Sequence, residues 1–149
     1  MQAWFCETLS GPEGLVWKEM PTPEPGPGEV RIAIRAASLN FPDILIVQGK
    51  YQFKPALPFV PGSEYAGVVE ALGEGVTNLK VGDAVAAMGS TGGFATHALA
   101  PAKQVLKLPP GFALEDAAAF ALTYGTTHHA LVDRAALKAG ETVLVLGAA

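Results

Sequence analysis

The chain carries a single cysteine, Cys6. That scarcity closes two routes at once, because neither an internal disulfide nor a multi-cysteine metal cage can be built from it. Charge is also thin: charged residues are 16% of the total, the net charge is −4, and Lys and Arg form no cluster. Nucleic acid is therefore not an expected partner. No apolar run approaches the ~20 residues that cross a bilayer, so a membrane is not expected either. The opening stretch MQAWFCETLSGPEG has neither the basic start nor the apolar core of a secretory signal. These absences make a reducing, cytoplasmic setting the expectation.

What the chain does have is a hydrophobic half of its residues and 149 positions in which to bury them, enough for one real core. Seventeen glycines and twelve prolines break it into short runs. QAWFCE, LVWKEM, EVRIAIRAA, EYAGVVEAL, DAVAAM and FATHALA read as strands. The clearest is Val30, Ile32, Ile34 and Ala36 alternating with Arg31 and Arg35, a period of two with one wet face. Pro21–Glu29 reads as a stiff crossing loop. Many short strands joined by Gly and Pro turns predict a sandwich or a partly open barrel.

From Leu114 the composition turns alanine-rich and helical. LEDAAAFAL is followed by YGTTHHALVDRAALKAG, with Ala130, Leu131, Ala135 and Leu137 as an apolar stripe and Gly140 as the stop. Thr142–Leu146 then reads as a strand buried on both faces, and Gly147 as the start of a glycine turn. The division expected is 1–113 for the barrel and 114–149 for connecting helices and the first strand of an incomplete dinucleotide-binding domain.

The middle of the chain carries the chemistry. Pro42 opens a short helix to Val47 and leaves Asn40 on the loop before it. After LPFVPGSEYAG the spacing G-S-E-x-x-G-x5-G-x-x-V runs from Gly62 and Glu64 through Gly67 and Gly73 to Val76. This spacing, with LNFPDILIVQGKY, GSEYAGVV and HALVDRAALKAGETVLVLGAA, resembles the medium-chain dehydrogenases/reductases, and within them the zinc-independent quinone oxidoreductase branch that includes zeta-crystallin-like proteins. The resemblance implies a GroES-like, partly open β-barrel, mainly β with flanking helices, ending at the first strand of a truncated Rossmann domain. It also implies that the zinc branch's His ligand falls on Ser63 and its two Cys ligands on Asn40 and Leu122, so no tetrahedral zinc set remains.

The same resemblance implies an NADPH-dependent oxidoreductase that passes hydride to a quinone or an α,β-unsaturated carbonyl. Quinone, enone and enoyl thioester all suit a metal-free cleft, and NADH stays open beside NADPH. Charge building on the acceptor oxygen must then be met by hydrogen-bond donors rather than by a Lewis acid. Asn40 is the first candidate for catalysis and for substrate and cofactor contact, against a plain helix-capping role. Tyr51 is a candidate proton donor and substrate contact, against ordinary loop packing. Asp43 is a candidate substrate contact, against a surface carboxylate in a helix's first turn. Thr126, Gly147 and Ala148 are candidate cofactor contacts, and Glu64 is expected to be structural, hydrogen-bonded beside the cleft.

His128 and His129 are adjacent and diverge on a helix, and His97 has no companion, so no metal site is expected. Cys6 is expected to be a small buried hydrophobe. Because NADPH is expected to be held mainly by a domain beyond Ala149, residues 1–149 alone are expected to bind it weakly and to be inactive. The intact protein is expected to be a homodimer acting on a small molecule. The competing readings are a non-catalytic, crystallin-like binding or structural protein and, last, a zinc alcohol dehydrogenase.

Overall fold

A computed structural model of the chain describes residues 1–147. Seven strands appear in it: β1 (Gln2–Cys6), β2 (Leu15–Glu19), β3 (Glu29–Ala37), β4 (Glu64–Leu72), β5 (Ala84–Met88), β6 (His97–Pro101) and β7 (Val105–Lys107). The helices are α1 (Phe41–Val47), α2 (Leu114–Ala117) and α3 (Ala121–His128), the last continuing as a π-helical segment, His129–Arg134.

Every strand pairing is antiparallel, in a five-stranded sheet ordered β6-β3-β4-β5-β7 beside a β1-β2 hairpin. The hairpin is sewn to the sheet where the Trp4 N–H donates to the Phe94 carbonyl at 2.9 Å and the Thr96 N–H to the Gln2 carbonyl at 2.8 Å. The result is a curled, partly open barrel. Its wall is closed on the inside by Val30, Ile32, Val69, Val85, Ala98 and Val105, all buried. The alternation read in β3 is why: Val30 and Ile32 are fully buried while Arg31 sends its guanidinium outward to Glu24 and Glu70.

β3 and β4 approach more closely than a strand pair with side chains on both sides allows. Their register slips between Ile34 and Ala36, a bulge opposite Gly67. A Cβ on Gly67 would sit 2.1 Å from the Ala33 carbonyl oxygen, so only glycine fits there.

The C-terminal part departs from expectation in two ways. Of the two helices expected, over LEDAAAFAL and YGTTHHALVDRAALKAG, the first stops at Ala117, and the second starts already at Ala121 and ends before Gly140. Ala136 takes a left-handed φ of 50°, and the Leu137 N–H reaches back to the Leu131 carbonyl at 3.0 Å, which closes the helix there. Thr142–Leu146, expected as a buried strand, forms no strand pairing among the described residues. Leu144 is 80% exposed and Leu146 83%. A strand's backbone groups need a neighbour to bond to, and among the described residues no strand lies alongside to supply one.

Candidate active site

The site is assembled where three separated segments meet: the β3–α1 connection, the start of β4 and the start of α3. α1 begins at Phe41 with Pro42 in its first turn, as the sequence predicts, and Asn40 stands at the cap position. Asp43, three residues on, turns back so that its Oδ2 accepts the Asn40 backbone N–H at 2.9 Å. Asp43 is only 3% exposed, which removes the alternative of a surface carboxylate, and it is not among the residues that line the pocket described below. Its other oxygen explains the burial, because the Ser63 hydroxyl donates to Asp43 Oδ1 across 20 residues of sequence.

Glu64 is fully buried at the head of β4. One oxygen accepts the Leu122 N–H at 2.8 Å, and the other accepts the Ser38 hydroxyl at 2.8 Å. The Asn40 side-chain amide donates to that same Ser38 oxygen at 2.8 Å. Glu64 therefore orders Ser38, and Ser38 orders Asn40. Two buried carboxylates thus stand within one site, each satisfied by neutral hydroxyl and N–H donors, which is what a buried carboxylate requires in the absence of a cation.

Beside this network lies a pocket of about 160 Å³ lined by Pro42, Ile46, Tyr51, Phe53, Ser63 and Leu122, with Gly89 and Ser90 at its rim. Tyr51 does both things considered for it. Its ring packs against the small core of Cys6, Ile46, Val47 and Phe59, and it also forms a wall of the pocket. Its hydroxyl makes no hydrogen bond among the described residues. A larger cleft of about 530 Å³ lies elsewhere, between Trp4, Trp17, Ile34, Arg35 and Phe94. We assign the site to the smaller pocket because Ser63 and Leu122 tie its wall to the buried polar network, although Ser38, Asn40, Asp43 and Glu64 do not themselves line it; in the larger cleft Arg35 is the one charged lining group.

The other candidates sit apart from this cluster. Thr126 is exposed on α3, one turn beyond Leu122 and so on the same helix face. Gly147 has a left-handed φ of 68°, and among the described residues no atom lies within 4 Å of where a Cβ would stand. Ala148 lies outside the described residues. Glu64 holds the structural, hydrogen-bonded place expected of it. Cys6 is fully buried, and burial pushes its thiol above the usual range. His129 pairs with Asp133 one turn along at 3.0 Å, and His97 contacts Thr96 and Glu70.

The donor set does not fit a zinc ion. Leu122 offers no donor atom, Asn40's amide nitrogen is engaged with Ser38, and Ser63's hydroxyl is engaged with Asp43. Two residues that matter here went unnoticed in the sequence. Ser38 was visible only as an ordinary serine two positions before Asn40, and Ser63 only as a replaced ligand.

Residues 26–110 match the alcohol dehydrogenase GroES-like domain. The chain is 41% identical over 149 residues to a quinone oxidoreductase-like protein 2 homolog from Nematostella vectensis, covering 99% of this chain and 40% of that protein. Among solved structures, human synaptic vesicle membrane protein VAT-1 homolog-like protein superposes with a TM-score of 0.89 at 34% identity, over 93% of this chain and 45% of that one. The quinone oxidoreductase from Thermus thermophilus, solved also as its NADPH complex, gives 0.83 at 37%, over 97% and 44%. The chain spans less than half the length of each.

Proposed function

Because this chain belongs to the alcohol dehydrogenase GroES-like family, in its quinone oxidoreductase branch, we propose that it is the catalytic-domain part of an NADPH-dependent oxidoreductase that reduces a quinone or an α,β-unsaturated carbonyl without zinc. One observation carries this reading: neutral donors, the Ser38 and Ser63 hydroxyls and the Asn40 amide, are committed to a buried network around the carboxylates Glu64 and Asp43, and Asn40 and Ser63 are positions that the resemblance pairs with zinc ligands.

NADPH, when bound, supplies the hydride. The chain's own residues hold and polarise the acceptor. Asn40, its amide fixed by Ser38, offers an N–H to the acceptor oxygen or to the cofactor. Tyr51, whose hydroxyl is uncommitted at the pocket wall, donates the proton that the reduced oxygen needs. Asp43 keeps Asn40 and Ser63 in place at the acceptor's side. Thr126 on the exposed face of α3, with Gly147 and Ala148, belongs to the cofactor's side. Ile46, Phe53 and Leu122 keep water from the ring. A conjugated acceptor spreads the arriving charge, which is why amide and hydroxyl donors suffice.

The test is NADPH oxidation on adding 1,4-benzoquinone to the full polypeptide that carries this chain, before and after exhaustive chelation. Turnover unaffected by chelation supports the reading. Turnover abolished by chelation and restored by zinc refutes it.

A further inference from the structure

Ser63 has one proton and two lone pairs. Its proton is directed at Asp43 Oδ1, and a carboxylate can only accept, so in that contact the serine is the donor. Asp43 is not free to turn away, since its second oxygen holds the Asn40 N–H at 2.9 Å and the residue is 3% exposed. The Ser63 backbone is fixed as well, because its carbonyl accepts the Gly89 N–H at 2.8 Å. Ser63 therefore lines the pocket with lone pairs to offer and no proton to give. Beside it the wall is apolar at Pro42, Ile46, Phe53 and Leu122, with further hydroxyls at Tyr51 and at the exposed Ser90. A ligand carbonyl gains nothing at Ser63 and is met by repulsion between lone pairs. An O–H gains a hydrogen bond.

Resting on the function proposed above, we propose that Ser63 is a specificity residue selecting acceptors that carry a hydroxyl donor beside the reducible carbonyl, with Asp43 as the positioning residue that commits the serine's proton. The pocket's volume of about 160 Å³ suits a single six-membered ring, close to the engineered apolar cavity of roughly 150 Å³ that takes up benzene. The ligand class is a hydroxyl-substituted, one-ring quinone or cyclic enone. Its hydroxyl goes to Ser63 and its carbonyl to Tyr51, which lines the same pocket.

The experiment compares two rings of nearly equal shape, 2-(hydroxymethyl)-1,4-benzoquinone and 2-ethyl-1,4-benzoquinone, as acceptors for the full polypeptide carrying this chain at saturating NADPH. The unaltered protein is expected to prefer the hydroxymethyl ring about tenfold in kcat/KM, the effect of one well-placed hydrogen bond. Ser63→Ala is expected to bring that ratio close to the intrinsic reactivity ratio of the two quinones. Asp43→Asn gives a reversal that a merely structural role does not predict. The new amide keeps its oxygen on the Asn40 N–H and turns its NH₂ toward Ser63, which frees the serine's proton. Preference should then pass from the hydroxymethyl ring to 2-methoxy-1,4-benzoquinone.

A ratio in the unaltered protein no greater than the intrinsic reactivity ratio of the two rings, or a preference beyond that ratio that survives Ser63→Ala, overturns the proposal. If neither quinone is turned over, the functional reading fails by itself. The dissociation constants of the same two rings then decide the role of Ser63: a tenfold difference upholds it and equality refutes it.

Discussion

Replacing Glu64 by glutamine keeps the volume and changes only what its two ends can accept. In the native protein one oxygen takes the Leu122 N–H at 2.8 Å and the other takes the Ser38 hydroxyl at 2.8 Å, with the residue wholly buried. Glutamine can keep the first contact as a neutral bond, which is weaker by about 1 kcal/mol than one to a charged acceptor. At the second contact its NH₂ faces an oxygen that already accepts from the Asn40 amide, so the Ser38 proton loses its acceptor. A buried donor left unmet costs about 1–3 kcal/mol more. The sum is about 3 kcal/mol, or roughly 9 °C in Tm for a chain of this size. Urea unfolding, followed through Trp4 and Trp17 whose rings lie 5.2 Å apart, reads the loss directly. The control is Glu70→Gln, whose side chain is 45% exposed and whose pairing with Arg31 lies at the surface. Such pairs contribute about 0–1 kcal/mol. Glu64→Gln should also speed amide exchange at Leu122. A Glu64→Gln protein within 0.5 kcal/mol of the native one, or no worse than the Glu70 control, would refute the reasoning.

Gly67→Ala should cost about 3 kcal/mol or more in urea unfolding, because the added methyl would meet the backbone of Ala33 and Ile34, and those atoms can yield only by parting β3 from β4. Burial raises the Tyr65 hydroxyl to about 12, so the native state holds its proton where the unfolded chain has lost it. Stability should be full below pH ~10 and fall by about 3 kcal/mol as pH rises toward 12, and Tyr65→Phe should remove that alkaline loss in calorimetry. Asp83 is held below the usual carboxylate range, first by the hydrogen bond from Lys107 and then by the Lys80 backbone N–H. Its contribution is present above the unfolded-state value and disappears as pH falls through the lowered one. Lys107→Met should therefore lower Tm at pH 7 and cease to matter in strong acid.

Some of this architecture was visible in the order of residues. The alternation from Val30 to Ala36 placed β3 correctly, and Asn40 with Pro42 placed the start of α1 to within a residue, because both signals are local. β7 was missed, since three residues cannot show a period. The two helical runs between Leu114 and Gly140 have other bounds than their composition suggests, because alanine favours helix whatever the chain does around it, and Ala136 in a left-handed conformation has no compositional mark. Thr142–Leu146 has strand composition without strand partners, and composition is the only part a sequence shows. Asp43 read equally as a substrate contact or a surface acid because its partner, Ser63, is 20 positions away. The glycine at 67 belonged to a spacing; its cause, a carbonyl oxygen 2.1 Å from where a Cβ would be, appears only once two strands are laid side by side.

The clasp at Glu64 reaches back 26 positions to Ser38 and forward 58 to Leu122. Ties of that range form late, after the intervening chain has found its place, and they let go when the whole domain lets go. A half-folded molecule would therefore hold no half-working cleft. Weakening substitutions anywhere in the barrel should reduce how many molecules are competent, while each competent one works at its normal rate.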